Sequence, residues 1–337
     1  MKFGWRGALG VVISVAALFY AFHDVQWADA IDHARHANYW LLLLGAAAAT
    51  GMFPLRARRW RTILDPVAPR LPLGPLWRST AIGMMVNNVV PLRAGEFARA
   101  YALTRELPQI TFSTALASLV VDRVFDAVVV LLLLAIAMIA PGFPNGATIS
   151  GRPIAEVATG FAIIPLVLLV ALYSLVFFPG TLIRLYELTA RRVSPAVEVR
   201  GRDMLRRFAD GLSVLRTPGH FIAVFWWTLL HWLLQPFAFW LGFRALGIDV
   251  SWSATLFVQG LIVIGVSLPS APGFFGLFEG AAVIALGLYG ISESAAITWA
   301  LVFHVVSFIP ITLIGGYYFA KLGLTIGEIG SAGREST

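Results

Sequence analysis

Asp122, Arg123 and Asp126 stand together in LASLVVDRVFD and open onto a run of about 14 apolar residues. Asp122 and Asp126 are four apart, so they share one face of a helix, and Arg123 is three from Asp126 and within pairing reach. Such a cluster can hold a cationic group, carry protons or tie helices together by buried ion pairs. A second acid, Glu279, lies in SLPSAPGFFGLFEGAA, a few residues into an apolar stretch. A carboxylate at that depth calls for a partner or a cavity. A third group, Asn87, Asn88, Arg93, Glu96 and Arg99, sits in NNVVPLRAGEFARAY. Its arginines suit phosphate or carboxylate contacts, and Glu96 can equally be a solvated ion pair with Arg93 or Arg99. His231 with Gln235, and His304, fit interhelical hydrogen bonds or a proton relay.

The elements that must position these groups follow from hydropathy. A spanning helix needs about 20 mostly apolar residues, and segments near 7–23, 38–55, 113–140, 158–178, 220–243 and 295–320 qualify. Two regions break the pattern. Residues 79–92 are too short, and residues 253–290 are interrupted across 268–276. Each break orders proline, glycine and glutamate alike: Pro91, Gly95 and Glu96 in one, and Pro269, Pro272, Gly273, Gly276 and Glu279 in the other. Proline removes a backbone donor and glycine permits turns that other residues resist. Broken backbone at membrane depth is tolerated where protein or a watery cavity satisfies it. The alternative is ordinary loops between short helices. The fold class predicted is all-α: a polytopic membrane bundle of about six full spans plus two interrupted or re-entrant segments, with a possible inverted repeat.

Composition agrees. The chain of 337 residues is 58% hydrophobic and only 13% charged, with no cysteine, and its mean hydropathy is +0.80. A soluble protein carries roughly twice that charge. The formal net charge of +7 suggests nucleic acid in a soluble protein, yet here the arginines gather between apolar segments, the pattern of cytoplasmic loops facing anionic lipid. No nucleic-acid partner is expected. Lys2 and Arg6 place the N-terminus inside, and Lys321 does the same for the C-terminus. Residues 180–219 form an Arg-rich, amphipathic cytoplasmic loop, residues 1–322 one membrane domain, and residues 323–337 a polar tail. RARRWRTIL, residues 56–64, reads as an interfacial anchor, with Trp60 at headgroup depth. By the same arginine count one break is approached from inside and the other from outside.

These four stretches, in this order and over nearly the whole chain, resemble the flippase-like membrane family named for the transmembrane region of lysylphosphatidylglycerol synthases. The resemblance implies a multi-helix protein of the plasma membrane, related to the domain that moves aminoacylated phospholipid across the bilayer. It also singles out Asn87, Asn88, Arg93, Glu96, Arg99, Asp122, Arg123, Asp126 and Glu279 as lipid-contacting positions. Pro91, Gly95, Pro269, Pro272, Gly273 and Gly276 become structural breaks. The soluble aminoacyl-transfer domain of the full synthases has no counterpart here, so a stand-alone member can carry a different lipid.

The leading reading is therefore a lipid translocase whose partner is an anionic or zwitterionic phospholipid. No GxxxxGK[ST] loop exists for ATP hydrolysis, and no cofactor or metal is expected. The alternatives are a membrane enzyme on lipid-linked substrates, for which Asp122 and Asp126 supply at most a lone metal-binding pair, or a scaffold for a lipid-modifying enzyme.

Overall fold

The computed structural model describes residues 27–90, 94–144, 148–149, 152–153, 176–190, 217–268, 271–325 and 327–328, with isolated positions among 167–174 and 198–206. Among these the chain is helical, apart from a two-residue antiparallel ladder between Thr148–Ile149 and Arg152–Pro153. The predicted segment near 7–23, residues 158–166 of the one near 158–178, and most of the loop after residue 190 lie outside the described residues, as do Pro91, Arg93 and Pro269.

Helix α1 covers Trp27–Arg35. Helix α2, Tyr39–Leu64, begins where the Asn38 side chain accepts hydrogen bonds from the backbone N–H groups of Trp40 and Leu41 at 3.1 and 3.3 Å. That satisfies donors a helix start otherwise leaves open. Helix α3, Leu73–Val89, ends in extended backbone at Val90, the conformation imposed on a residue that precedes proline. Helix α4, Gly95–Glu106, follows. Helix α5, Phe112–Ile139, is capped by Thr111, and α6 spans Pro179–Ala190. Helix α7, Pro218–Ala245, starts on a proline, where the missing N–H costs nothing. Helix α8, Trp252–Ser267, leads into a tight turn at Pro272–Phe274 and then α9, Leu277–Gly287. Helix α10, Glu293–Lys321, completes the set.

Helices α2, α7 and α10 are long and apolar enough to cross a membrane. Their outward faces carry exposed Leu43, Leu44, Ile222, Trp226, Leu313 and Tyr317, side chains at home in lipid and costly in water. Helix α5 is as long, at 28 residues, but any 18-residue stretch of it contains Asp122, Arg123 and Asp126. Helices α2 and α7 run antiparallel, pinned where the Asn38 N–H donates to the Ala245 carbonyl at 2.7 Å. Between α7, α9 and α10 lies an aromatic core. Phe243 stacks on Trp299 with centroids 4.3 Å apart, and Phe239 meets Trp299 and Phe303 edge-on at 5.1 Å.

The two predicted breaks are real interruptions, and each folds its flanking helices into a short antiparallel hairpin. Arg78 near the start of α3 pairs with Glu106 at the end of α4. Gly83 lies against the Gly95 carbonyl, so close that a Cβ on Gly83 would stand 2.7 Å from it. In the second hairpin Gly265 faces Ala281, and the turn uses positive φ at Gly273 (72°) and Gly276 (87°), angles at which a side chain is strained. At 1.5 Å per residue α3 is about 25 Å long and α4 about 18 Å, short of the roughly 30 Å hydrocarbon thickness.

Helix α10 packs on α3 through Gly315, whose Cβ position is filled by the Ala81 carbonyl and Met85, whereas Gly316 faces open space. Gly315→Ala should therefore destabilise by about 1–3 kcal/mol through overpacking. Gly316→Ala should be neutral or stabilise by up to about 1 kcal/mol through helix propensity. Thermal-aggregation midpoints of the two variants in detergent check the contrast.

Candidate functional site

The charged residues that hydropathy would keep out of a membrane helix meet in the interior. On α2, Arg56, Arg59, Trp60 and Ile63 recur at three- and four-residue spacing, so they share one face, and that face is turned inward. Arg59 is fully buried. Its Nη2 lies 2.6 Å from Asp122 Oδ1 and its Nη1 2.6 Å from Asp126 Oδ1, and Nη1 also donates to Thr228 Oγ1 of α7 at 3.2 Å. One guanidinium thus spans both carboxylates of α5. Its planar fork of donors is suited to this, and a lysine ammonium is not.

Each carboxylate has further partners. Asp122 Oδ2 accepts from Arg99 Nη1 of α4 at 3.1 Å. Asp126 Oδ1 accepts from Trp232 Nε1 of α7 at 2.7 Å, while His231 Nε2 stands off at 3.8 Å. Arg123, the most accessible member, reaches Asp126 at 3.2 Å, Asp122 at 3.4 Å and Glu96 at 3.5 Å. Beneath Arg99 lies the Trp60 ring, 4.1 Å from the guanidinium carbon, and Trp60 Nε1 donates to Ser118 Oγ at 2.7 Å. The network ties α2, α4, α5 and α7 together, and among the described residues four guanidiniums (Arg56, Arg59, Arg99, Arg123) face three carboxylates.

Beside it, a small cavity opens between α2, α3 and α4, lined by Arg56, Thr80, Met84, Asn87, Glu96 and Arg99 with Gly83 and Gly95. Asn87 Oδ1 accepts the Gly95 N–H at 2.8 Å and so caps the first turn of α4 across the break. Asn88 turns the other way and donates to Thr312 Oγ1 of α10 at 2.8 Å.

Glu279 forms a separate site. Its Oε2 accepts the Gly276 N–H at 2.7 Å, closing the helix start, and its Oε1 lies 2.6 Å from His304 Nδ1. Phe275 and Phe278 enclose the imidazole, with ring centroids 4.4 and 4.5 Å away. Glu279 is fully buried and does not line the cavity at Arg56. The structure thus gathers Asn87, Glu96, Arg99, Asp122, Arg123 and Asp126 in one place, sets Asn88 against α10, and leaves Glu279 with Pro272, Gly273 and Gly276 at the second break.

Sequence reasoning missed Arg59 and Arg56. The stretch 56–64 reads as an interfacial anchor, yet Arg59 and Trp60 are 0% exposed, so these two side chains face protein and not lipid. Only Arg58 and Arg61 of that stretch remain part-exposed. The three-residue spacing of Arg56 and Arg59, in phase with Trp60 and Ile63, was the available signal.

Residues 7–315 match the family model for the lysylphosphatidylglycerol synthase TM region. The chain is 23% identical to a UPF0104 membrane protein of Methanothermobacter thermautotrophicus across 96% of its own length and 97% of that protein. A second UPF0104 membrane protein of that organism is 25% identical across 84% of this chain and 83% of its own. Glycosyltransferase AglD of Haloferax volcanii is 25% identical across 91% of this chain but only 53% of that protein.

Removing one partner from a buried ion pair strands the other, at a cost of about 3–5 kcal/mol. Arg59→Gln should therefore lower the thermal stability of the detergent-solubilised protein by that order, and Arg59→Lys should recover little of it. A lysine variant with wild-type stability would contradict the two-carboxylate geometry.

Proposed function

The chain belongs to the family of the lysylphosphatidylglycerol synthase transmembrane region and is an integral membrane protein, and from that premise we propose that it moves a phospholipid between leaflets. One observation carries the reading: a net-positive network of guanidiniums and carboxylates sits inside a bundle whose outward faces are apolar, next to a hairpin too short to span the bilayer. Moving a phospholipid requires a polar route for the headgroup while the tails stay in lipid. Arg99 and Arg123 can meet the phosphate with charge-assisted hydrogen bonds. Glu96, at the accessible edge of the network, can meet a cationic headgroup, and the part-exposed Arg123 can exchange its carboxylate contacts for lipid as the group passes.

Within this reading the protein resides in the plasma membrane, with both termini in the cytoplasm, because the arginine-rich stretches mark the cytoplasmic side. Residues 1–322 form one membrane domain, and Glu279 with His304 is a buried acid–base pair available for proton movement. The reading of a metal-dependent enzyme has less support, since Arg59 already occupies the position between Asp122 and Asp126 that a cation would take. A second reading has one specific observation in its favour. Glycosyltransferase AglD carries a region like this chain within a protein of nearly twice the length. That supports a membrane partner acting alongside a lipid-modifying enzyme.

Reconstitution into liposomes with fluorescent phospholipids separates the readings. Wild type is expected to exchange lipid between leaflets at least tenfold faster than empty vesicles. Arg99→Ala and Glu279→Gln should lose most of that rate, and Arg244→Ala, at an exposed pair with Asp249, should keep it. Exchange no faster than empty vesicles across several headgroups would overturn the translocase and leave the partner reading.

A further inference from the structure

Arg56 carries a charge that no carboxylate among the described residues answers. The residue is 7% exposed. Its hydrogen bond is to the Met84 sulfur at 3.5 Å, a weak acceptor, and its Nε has no partner. The neighbouring acids are already engaged: Asp122 by Arg59 and Arg99, Asp126 by Arg59 and Arg123, and Glu96 by Arg123. Arg99 adds to the surplus. One of its nitrogens meets Asp122, while its Nε and Nη2 are buried without partners. Both arginines line the same cavity. A guanidinium withdrawn from water without a counter-ion is strongly disfavoured, so this arrangement is stable once an anion completes it.

We propose that the cavity between Arg56 and Arg99 is a seat for a phosphodiester, the linkage of a phospholipid headgroup. Charge selects it. Among the described residues, four guanidiniums facing three carboxylates leave one positive charge, which a singly charged phosphodiester neutralises and a phosphate dianion would overshoot. Geometry agrees. Two forks of N–H donors from different helices suit a tetrahedral oxyanion, and Thr80 and Asn87 make the walls polar. The enclosed space admits about one water-sized sphere, enough for one non-bridging oxygen. The rest of the phosphate then sits at the mouth, where Met84 and Glu96 are the part-exposed lining residues. Its substituents stay outside the cavity, where headgroup and glycerol can diverge. The lipid source of the phosphate rests on the proposed function, whereas the anion seat follows from burial and charge alone.

The test uses full-length protein in detergent and in nanodiscs, with wild type, Arg56→Gln, Arg56→Met and Arg58→Gln. Thermal shift is followed against glycerophosphoglycerol (a soluble phosphodiester), inorganic phosphate and chloride. Nanodiscs of phosphatidylglycerol are compared with nanodiscs of a neutral glycolipid for lipid retained on extraction. Glycerophosphoglycerol is expected to stabilise wild type saturably, with a midpoint at least tenfold higher in Arg56→Gln and unchanged in Arg58→Gln. Phosphatidylglycerol should be retained and the glycolipid not. Arg56→Met, stripped of an unanswered charge, should melt no lower than ligand-free wild type. A merely structural arginine would make that variant melt lower, and this result would overturn the seat. So would equal stabilisation by chloride, preference for inorganic phosphate over the diester, or wild-type binding in Arg56→Gln. Binding here is read without exchange, so a protein that holds phosphatidylglycerol but moves no lipid would refute the translocase and keep the seat.

Discussion

The Arg59 guanidinium, held 2.6 Å from both Asp122 and Asp126, is the constraint on which the rest of the interior depends. Ions in a poorly polarisable interior are costly singly and tolerable only when paired with good geometry. Arg59 therefore fixes the register of α2 against α5, and the remaining oxygens of the two aspartates dictate what else must arrive. Arg99 brings α4, Trp232 and Thr228 bring α7, and Arg123 reaches back to Glu96. A shift of α2 by one residue would rotate Arg59 by about 100° and take its guanidinium off both carboxylates.

The hairpins explain how such a network coexists with an apolar exterior. Helices α3 and α4 are each shorter than the hydrocarbon layer is thick; they fold against each other through Gly83 and Gly95 and present Arg99 and Asn87 to the interior. Gly95, whose Cβ position is filled by the Gly83 carbonyl and the Asn87 side chain, lets α4 start so near α3 that an asparagine can cap it. The second hairpin repeats the device, with Glu279 in the capping role and His304 in attendance. Each break thus satisfies its backbone with a side chain from within the protein, as membrane depth requires.

Much of this was legible in the sequence. Predicted 113–140 is α5 at Phe112–Ile139, predicted 220–243 lies within α7, and predicted 295–320 lies within α10. The two interruptions fall where proline and glycine placed them. The short segment predicted at 79–92 starts earlier, at Leu73, because Trp77 and Arg78 find partners in the protein and not in water. The segment predicted at 38–55 runs on to Leu64 for the same kind of reason. Hydropathy registers Arg56 and Arg59 as charges that should leave the membrane, but it cannot register the aspartates more than sixty positions later that receive Arg59. Glu96 shows the same limit, since among the described residues its ion pair is with Arg123, on another helix, and not with Arg99. Local spacing identifies who can pair along a helix. Tertiary packing decides who does.

Arg59 and Asp126 act energetically as one unit, and a double-mutant cycle on thermal stability measures that coupling. Arg59→Met, Asp126→Leu and the double variant would be compared with wild type in the same detergent. The double variant is expected to lose less stability than the two single losses added together, with a coupling of about 1–3 kcal/mol, because removing both charges strands fewer buried ions than removing either. Additive losses would mean that the two residues are merely adjacent, and would contradict it.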